Sequence, residues 1–233
     1  MRLGTALRTL FVPFAAVVLS GSTLVGRPAA EKYSAAELKE PAPEQLAADV
    51  REGLGKTGYR VADSSGKTIC DVWLRAELPV LEKFTAQNDV TYPIEPGTLI
   101  GAIRFPAANS DYRKQSIKSG TYTLRYGHQP QDGNHLGTAQ NRDFAIASLA
   151  AEDKSPEGMS QEKAMEQSKK ASGTTHPAIF SLLPPQEGRG KLPTMAHEDT
   201  LNLEVLVAKT TAKKGAPTKE VQIELVTVGH APE

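Results

Sequence analysis

The sequence predicts an all-β protein, a two-sheet antiparallel β-sandwich of jelly-roll type, carried behind a removable leader. Two observations predict the sheets. Alternating apolar and polar residues recur from Tyr59 to Leu225, and loops rich in Gly, Pro and Asn separate them. A third predicts the leader. Arg2 and Arg8 precede the apolar run 10–19, and the small residues Ser20, Gly21 and Ser22 follow it. That layout is a secretory signal peptide over residues 1–22, cut after Ser22.

Pro13 interrupts the apolar run, and a helix needs roughly 18 to 20 apolar residues to cross a bilayer, so no membrane anchor is expected once the leader is cut. The expected product is secreted or periplasmic and starts at Thr23. Residues 23–58 then form an N-terminal arm, rich in Ala, Glu and Pro, partly disordered and carrying weak helical signals. Leu46 and Val50 share one helical face, and Gly53 marks its end. The sandwich domain is expected over residues 59–233.

Within it, the runs 59–62 and 68–77 flank Asp63-Ser64-Ser65-Gly66-Lys67, a hairpin loop in which Gly66 can take a positive φ. Leu99, Gly101, Ile103 and Phe105 form the next alternating run, and Tyr122, Leu124 and Tyr126 follow the turn at Ser119-Gly120. The run 144–149 is apolar on both faces, as a central strand is. Further strands are expected at 178–183, at Leu201 to Val207 and at Val221 to Leu225, about eight in all. One surface helix interrupts them over 159–172, with a Ser160 cap, a Glu166–Lys170 pair and Gly173 beyond its end.

The 27 Lys and Arg balance 27 Asp and Glu, with no basic block, so nucleic acid is not an expected partner. Cys70 is the one cysteine, which leaves no internal disulfide. Its alternation with Val72 and Leu74 puts it on an apolar face as a buried, inert thiol.

Two groups of residues could carry chemistry. The loop after Tyr126 holds His128, Asp132 and His135, and two imidazoles with a carboxylate can converge on zinc or copper. Asp143, His176 or His197 would have to complete the site. The competing reading makes Asp132-Gly133-Asn134 a turn with both histidines bonded to nearby backbone. The second group is Trp73 in phase with Asp71 and Arg75, on the side of the strand opposite Cys70. An exposed indole beside charged groups can stack on a sugar, whereas an arm folded over the strand would make Trp73 core. Asp71 and Glu77 lie roughly 20 Å apart along one strand, too far for a glycosidase pair. No phosphate loop, nucleophile elbow or zinc-protease helix is present in the sequence.

The run Ile117-Lys118-Ser119-Gly120-Thr121-Tyr122-Thr123-Leu124 resembles the strand-entry motif of exported bacterial β-sandwich domains of unknown function. Lys118 and Ser119 stand where that motif carries Pro and Ala. The resemblance implies a sandwich and no activity. The expectation is therefore an exported, non-enzymatic module that binds a small molecule, a glycan or an envelope protein. The alternative is a metal-binding protein or metalloenzyme built on the histidine loop, and a third reading is an accessory domain that packs against a partner.

Overall fold

The computed structural model describes residues 1, 32–87, 89–129 and 141–232. The predicted leader, Asp132 and His135 lie outside the described residues. The described residues from Lys32 onward form one compact unit, mostly β and built from antiparallel sheets.

The larger sheet has seven strands: β1 (Tyr33–Leu38), β2 (Gly58–Asp63), β3 (Thr68–Leu74), β5 (Leu99–Phe105), β8 (Gly120–His128), β9 (Asp143–Leu149) and β10 (Ala178–Ser181). They stand side by side in chain order. Between them fall the two-residue strands β4 (Glu77–Leu78), β6 (Asn109–Ser110) and β7 (Ser116–Ile117). The smaller sheet orders β11 (Thr194–Glu198), β12 (Leu203–Ala212) and β13 (Glu220–Val228), with β4 pairing in parallel to β12. A bridge between Leu182 and Leu225, reinforced by Leu183 N–H to Glu224 O at 2.9 Å, joins the two sheets where β10 meets β13.

One core lies between the sheets. Val61, Cys70, Val72, Ile103, Leu124 and Ala145 enter it from the larger sheet, and Leu206, Ala208, Val221, Ile223 and Leu225 from the smaller. Cys70 is fully buried there, and burial pushes its thiol pKa far up. Gly66 takes the predicted positive φ, 84°, while Asp63 Oδ1 accepts the Ser65 and Lys67 amides at 2.9 and 3.1 Å.

The opposite face of the larger sheet is covered as well. Residues 39–57, including the short helix α1 (Ala48–Glu52), lie over Trp73, Leu99 and Ala102 with Leu46, Val50 and Leu54. Gly58 admits this packing, because a Cβ there would sit 2.7 Å from the Trp73 Nε1. The second helix, α2 (Gln161–Ser172), starts at Ser160, whose hydroxyl accepts the Lys163 amide, and ends at Gly173 with φ 67°. Glu166 pairs with Lys169 rather than Lys170, which reaches Glu152 instead. Small residues let the helix approach β9: Ala164 packs on Phe144 and Ile146, and the buried Ser168 hydroxyl donates to Ala147 O at 2.5 Å and accepts the Ala178 amide at 2.8 Å. The helix is seated on the sheet by this face, and its other face, with Glu162, Lys163, Glu166 and Lys170, is exposed at the surface, as the sequence predicts.

Beneath residues 150–159 lies a fully buried ion pair. Arg125 Nε and Nη2 grip the Asp153 carboxylate at 2.7 and 2.8 Å, and the remaining donors reach the carbonyls of Gly97, Ser155 and Glu157. All five guanidinium protons have acceptors, which is the condition under which such a pair survives burial.

Candidate functional site: the open end of β8 and β9

Residues i and i+2 of a strand share a face, so Tyr126 and His128 point the same way at the end of β8. The antiparallel register sets Asp143, the first residue of β9, directly opposite His128. The Asp143 side chain is buried and accepts three hydrogen bonds. Oδ2 takes the Thr91 amide and hydroxyl, both at 2.7 Å, and Oδ1 takes the Tyr126 hydroxyl at 2.5 Å. His128 Nε2 lies 2.7 Å from that same phenol oxygen and 3.9 Å from Asp143 Oδ1. The two rings meet edge to face, with centroids 5.0 Å apart.

The backbone of His128 is clamped from α2, because Gln161 accepts its amide at 2.8 Å and donates to its carbonyl at 2.9 Å. Beside it, Arg142 Nε donates to Gln129 O at 2.9 Å and Nη1 reaches Asp89 at 3.3 Å. The result is a chain from a buried carboxylate through a phenol to an imidazole whose side chain is 26% exposed.

Burial and the adjoining Asp143 push the Tyr126 pKa far up, so the phenol keeps its proton. Burial lowers the His128 pKa below its ordinary 6.5, with Asp143, Glu95 and Asp89 opposing and Arg142 assisting. Because the folded value lies below the unfolded one, stability from this group is complete above pH 6.5 and is lost as pH falls through the folded pKa. Urea denaturation of wild type and His128→Gln at pH 7.5 and pH 5 checks this. The stability difference between them is expected to shift against wild type at the lower pH.

The remaining predicted site residues are dispersed. His176 is exposed in the turn after α2. His197 lies on β11 of the other sheet, 3.0 Å from Glu204 and 3.5 Å from Asp199. Of the predicted metal ligands, only His128 and Asp143 come together among the described residues, where no three His, Cys, Asp or Glu side chains are placed to hold a metal ion. Asp143 is no ready ligand, since both its oxygens already accept hydrogen bonds.

The predicted sugar platform needs an exposed ring, and the structure corrects that reading. Trp73 is 0% exposed. Its Nε1–H donates to Glu40 O at 3.1 Å, and the Arg104 guanidinium stacks 5.2 Å from the ring centroid. Asp71 is buried between Arg60 at 2.8 Å and Arg104 at 2.6 Å, and Arg75 donates to Pro156 O at 2.9 Å. Trp73 and Arg75 thus fasten residues 39–57 and 150–159 to the sheet, and Asp71 holds the two arginines that pair with Glu40.

A recess of about 220 Å³ lies on the smaller sheet between Arg189, His197 and Asp199. Its charges are met internally: Arg189 pairs at 2.5 Å with Glu224, and His197 with Glu204. Thr91 and Gln161 are the members of the β8–β9 site that sequence reasoning misses. No motif marks either, although Gln161, just after the Ser160 cap, is fixed at the first turn of the helix. Comparison with protein-family models, curated proteins and solved structures found no match.

Proposed function

We propose that the chain is an exported, non-enzymatic β-sandwich module that binds a polar small molecule, a glycan or an envelope partner, and that His128 is its contact point. The supporting observation is the chain Asp143–Tyr126–His128, in which two members are buried and partnered while the third reaches the surface. A ring oriented from behind loses little freedom on meeting a ligand, which is how preorganised sites gain affinity. The apolar-core packing between two sheets supports the sandwich. The jelly-roll connectivity draws no support from strands that follow one another in chain order.

We read residues 1–22 as a leader cut after Ser22, which supports a secreted or periplasmic address, and the balanced charge supports a partner other than nucleic acid. The likeness to exported bacterial β-sandwich domains through Gly120-Thr121-Tyr122-Thr123-Leu124 agrees with that address. A second reading, metal binding by His128 with zinc or copper, is favoured by one feature. A ligating histidine ordinarily has its other nitrogen hydrogen-bonded toward a carboxylate, and the Tyr126–Asp143 pair supplies such a backing.

One experiment addresses both readings. Thermal unfolding of wild type and His128→Ala is followed against a panel of sugars, amines, organic acids and divalent zinc and copper. A ligand at one hundred times its Kd should raise wild-type stability by about 2.7 kcal/mol. The proposal expects at least one panel member to stabilise wild type and to leave His128→Ala unmoved. Equal responses from both proteins across the panel would overturn it.

A further inference from the structure

Proton counting at the β8–β9 end fixes which face of the His128 ring a ligand meets. The Asp143 carboxylate accepts on both oxygens, and Oδ1 takes the Tyr126 hydroxyl at 2.5 Å. A phenol has one proton to give. With that proton committed to Asp143, the 2.7 Å approach of His128 Nε2 to the same phenol oxygen requires the imidazole to be the donor. The opposite tautomer would set two lone pairs against a single proton at a half-buried position, and an unmade hydrogen bond there is costly. The neutral ring is therefore protonated at Nε2 and carries its one lone pair on Nδ1. Among the described residues the only side-chain partner of the ring is the Tyr126–Asp143 pair, on its Nε2 side.

We infer that the ligand held at this end of the sheet is a cation, engaged through the Nδ1 lone pair of His128. This deepens the binding-module reading and rests on it. The electrostatic surroundings agree among the described residues: Asp143 stands behind the ring, Glu95 and Asp89 favour positive charge there, and Arg142, itself paired with Asp89, opposes it. A carboxylate or phosphate would face a lone pair with the Asp143 carboxylate behind it. Two sources share the required chemistry, a divalent transition metal ion and an organic ammonium. The nearby Asp89–Arg142 pair at 3.3 Å keeps the arginine charge partly satisfied within the protein.

The test uses full-length mature protein labelled with 15N at pH 8, with the histidine nitrogens read by long-range proton–nitrogen NMR. The expected spectrum shows His128 as the Nε2–H tautomer. Zinc chloride or methylammonium is expected to move the Nδ1 resonance, while acetate and inorganic phosphate leave it in place. Zinc acting without methylammonium identifies a metal, and the reverse identifies an ammonium group. Tyr126→Phe, first shown to be folded by its thermal transition, should raise the Nδ1–H population and weaken the cation about tenfold, the worth of one hydrogen bond.

An Nδ1–H tautomer in wild type would overturn the inference. So would a response to acetate or phosphate in place of the cations, or no response to either cation up to about 1 mM, a Kd already as weak as roughly 4 kcal/mol of binding. The two readings fail separately. A His128-dependent anionic ligand in the thermal panel sinks the cation and keeps the module, whereas a panel with no His128-dependent ligand sinks the module at this end whatever the tautomer.

Discussion

Asp153→Ala is expected to destabilise the protein by about 3–5 kcal/mol, since it strands a buried guanidinium without its counter-charge. Urea denaturation gives the measurement. Asp153 also accepts the Thr123 hydroxyl at 2.7 Å, so in the same variant a second buried donor keeps only the longer bond to Ser148 O at 3.5 Å. A double variant, Arg125→Met with Asp153→Leu, separates charge from connectivity. Replacing both members of a buried pair by apolar residues is often neutral or stabilising. Here Arg125 also satisfies three carbonyls, those of Gly97, Ser155 and Glu157, and the double variant leaves them unpaired. It is therefore expected to remain clearly less stable than wild type. A neutral double variant would mean that the three carbonyls find water.

Trp73→Ala is expected to cost about 3–5 kcal/mol through lost burial and the cavity it leaves. The loss should be felt first in residues 39–57, because the indole is the floor on which Leu46, Val50 and Leu54 rest. Limited proteolysis should then cut within that segment while β8 and β9 stay protected. Trp73→Phe keeps most of the apolar area and loses the bond to Glu40 O, which is worth about 1 kcal/mol. Trp73 is the sole tryptophan, so its fluorescence reports this packing directly. A blue-shifted emission that resists external quenchers is expected, and a red, readily quenched one would contradict the buried ring.

The strands legible in the sequence are those whose faces meet unlike surroundings. Cys70, Val72 and Leu74 alternate with Asp71 and Trp73 because one face enters the central core and the other meets residues 39–57. Periodicity assigns Trp73 to the correct side, but it carries no information on what covers that side. That depends on a segment whose Leu46 and Val50 look like an isolated turn of helix until the sheet is beneath them. β1 is invisible for a related reason. Tyr33-Ser34-Ala35-Ala36-Glu37-Leu38 has little β-propensity, and pairing with β2 from Ser34–Ala62 to Leu38–Gly58 imposes the strand. β11 likewise takes its form from β12, with Thr194 set against Val207 and Glu198 against Leu203.

At the candidate site, neighbours along the chain and neighbours in space differ. Reading along the chain groups His128 with Asp132 and His135, which lie outside the described residues. The antiparallel register groups it with Asp143, and the loop before β5 brings Thr91. A two-residue period shows that Tyr126 and His128 share a face, and nothing in it shows that the phenol sits between the imidazole and a buried carboxylate.

The joint between β10 and β13 has a consequence for how the chain acquires its structure. Strands of the larger sheet neighbour each other in sequence and can pair in the order in which they emerge from a ribosome or a translocation channel. Their inner face, however, is closed by Leu206, Ala208, Val221, Ile223 and Leu225, all near the C-terminal end. A nascent chain halted before β12 therefore holds a nearly complete sheet with one wet apolar side. Such a species is prone to self-association. Vectorial synthesis leaves the covering of that apolar side to the last hairpin, β12 with β13.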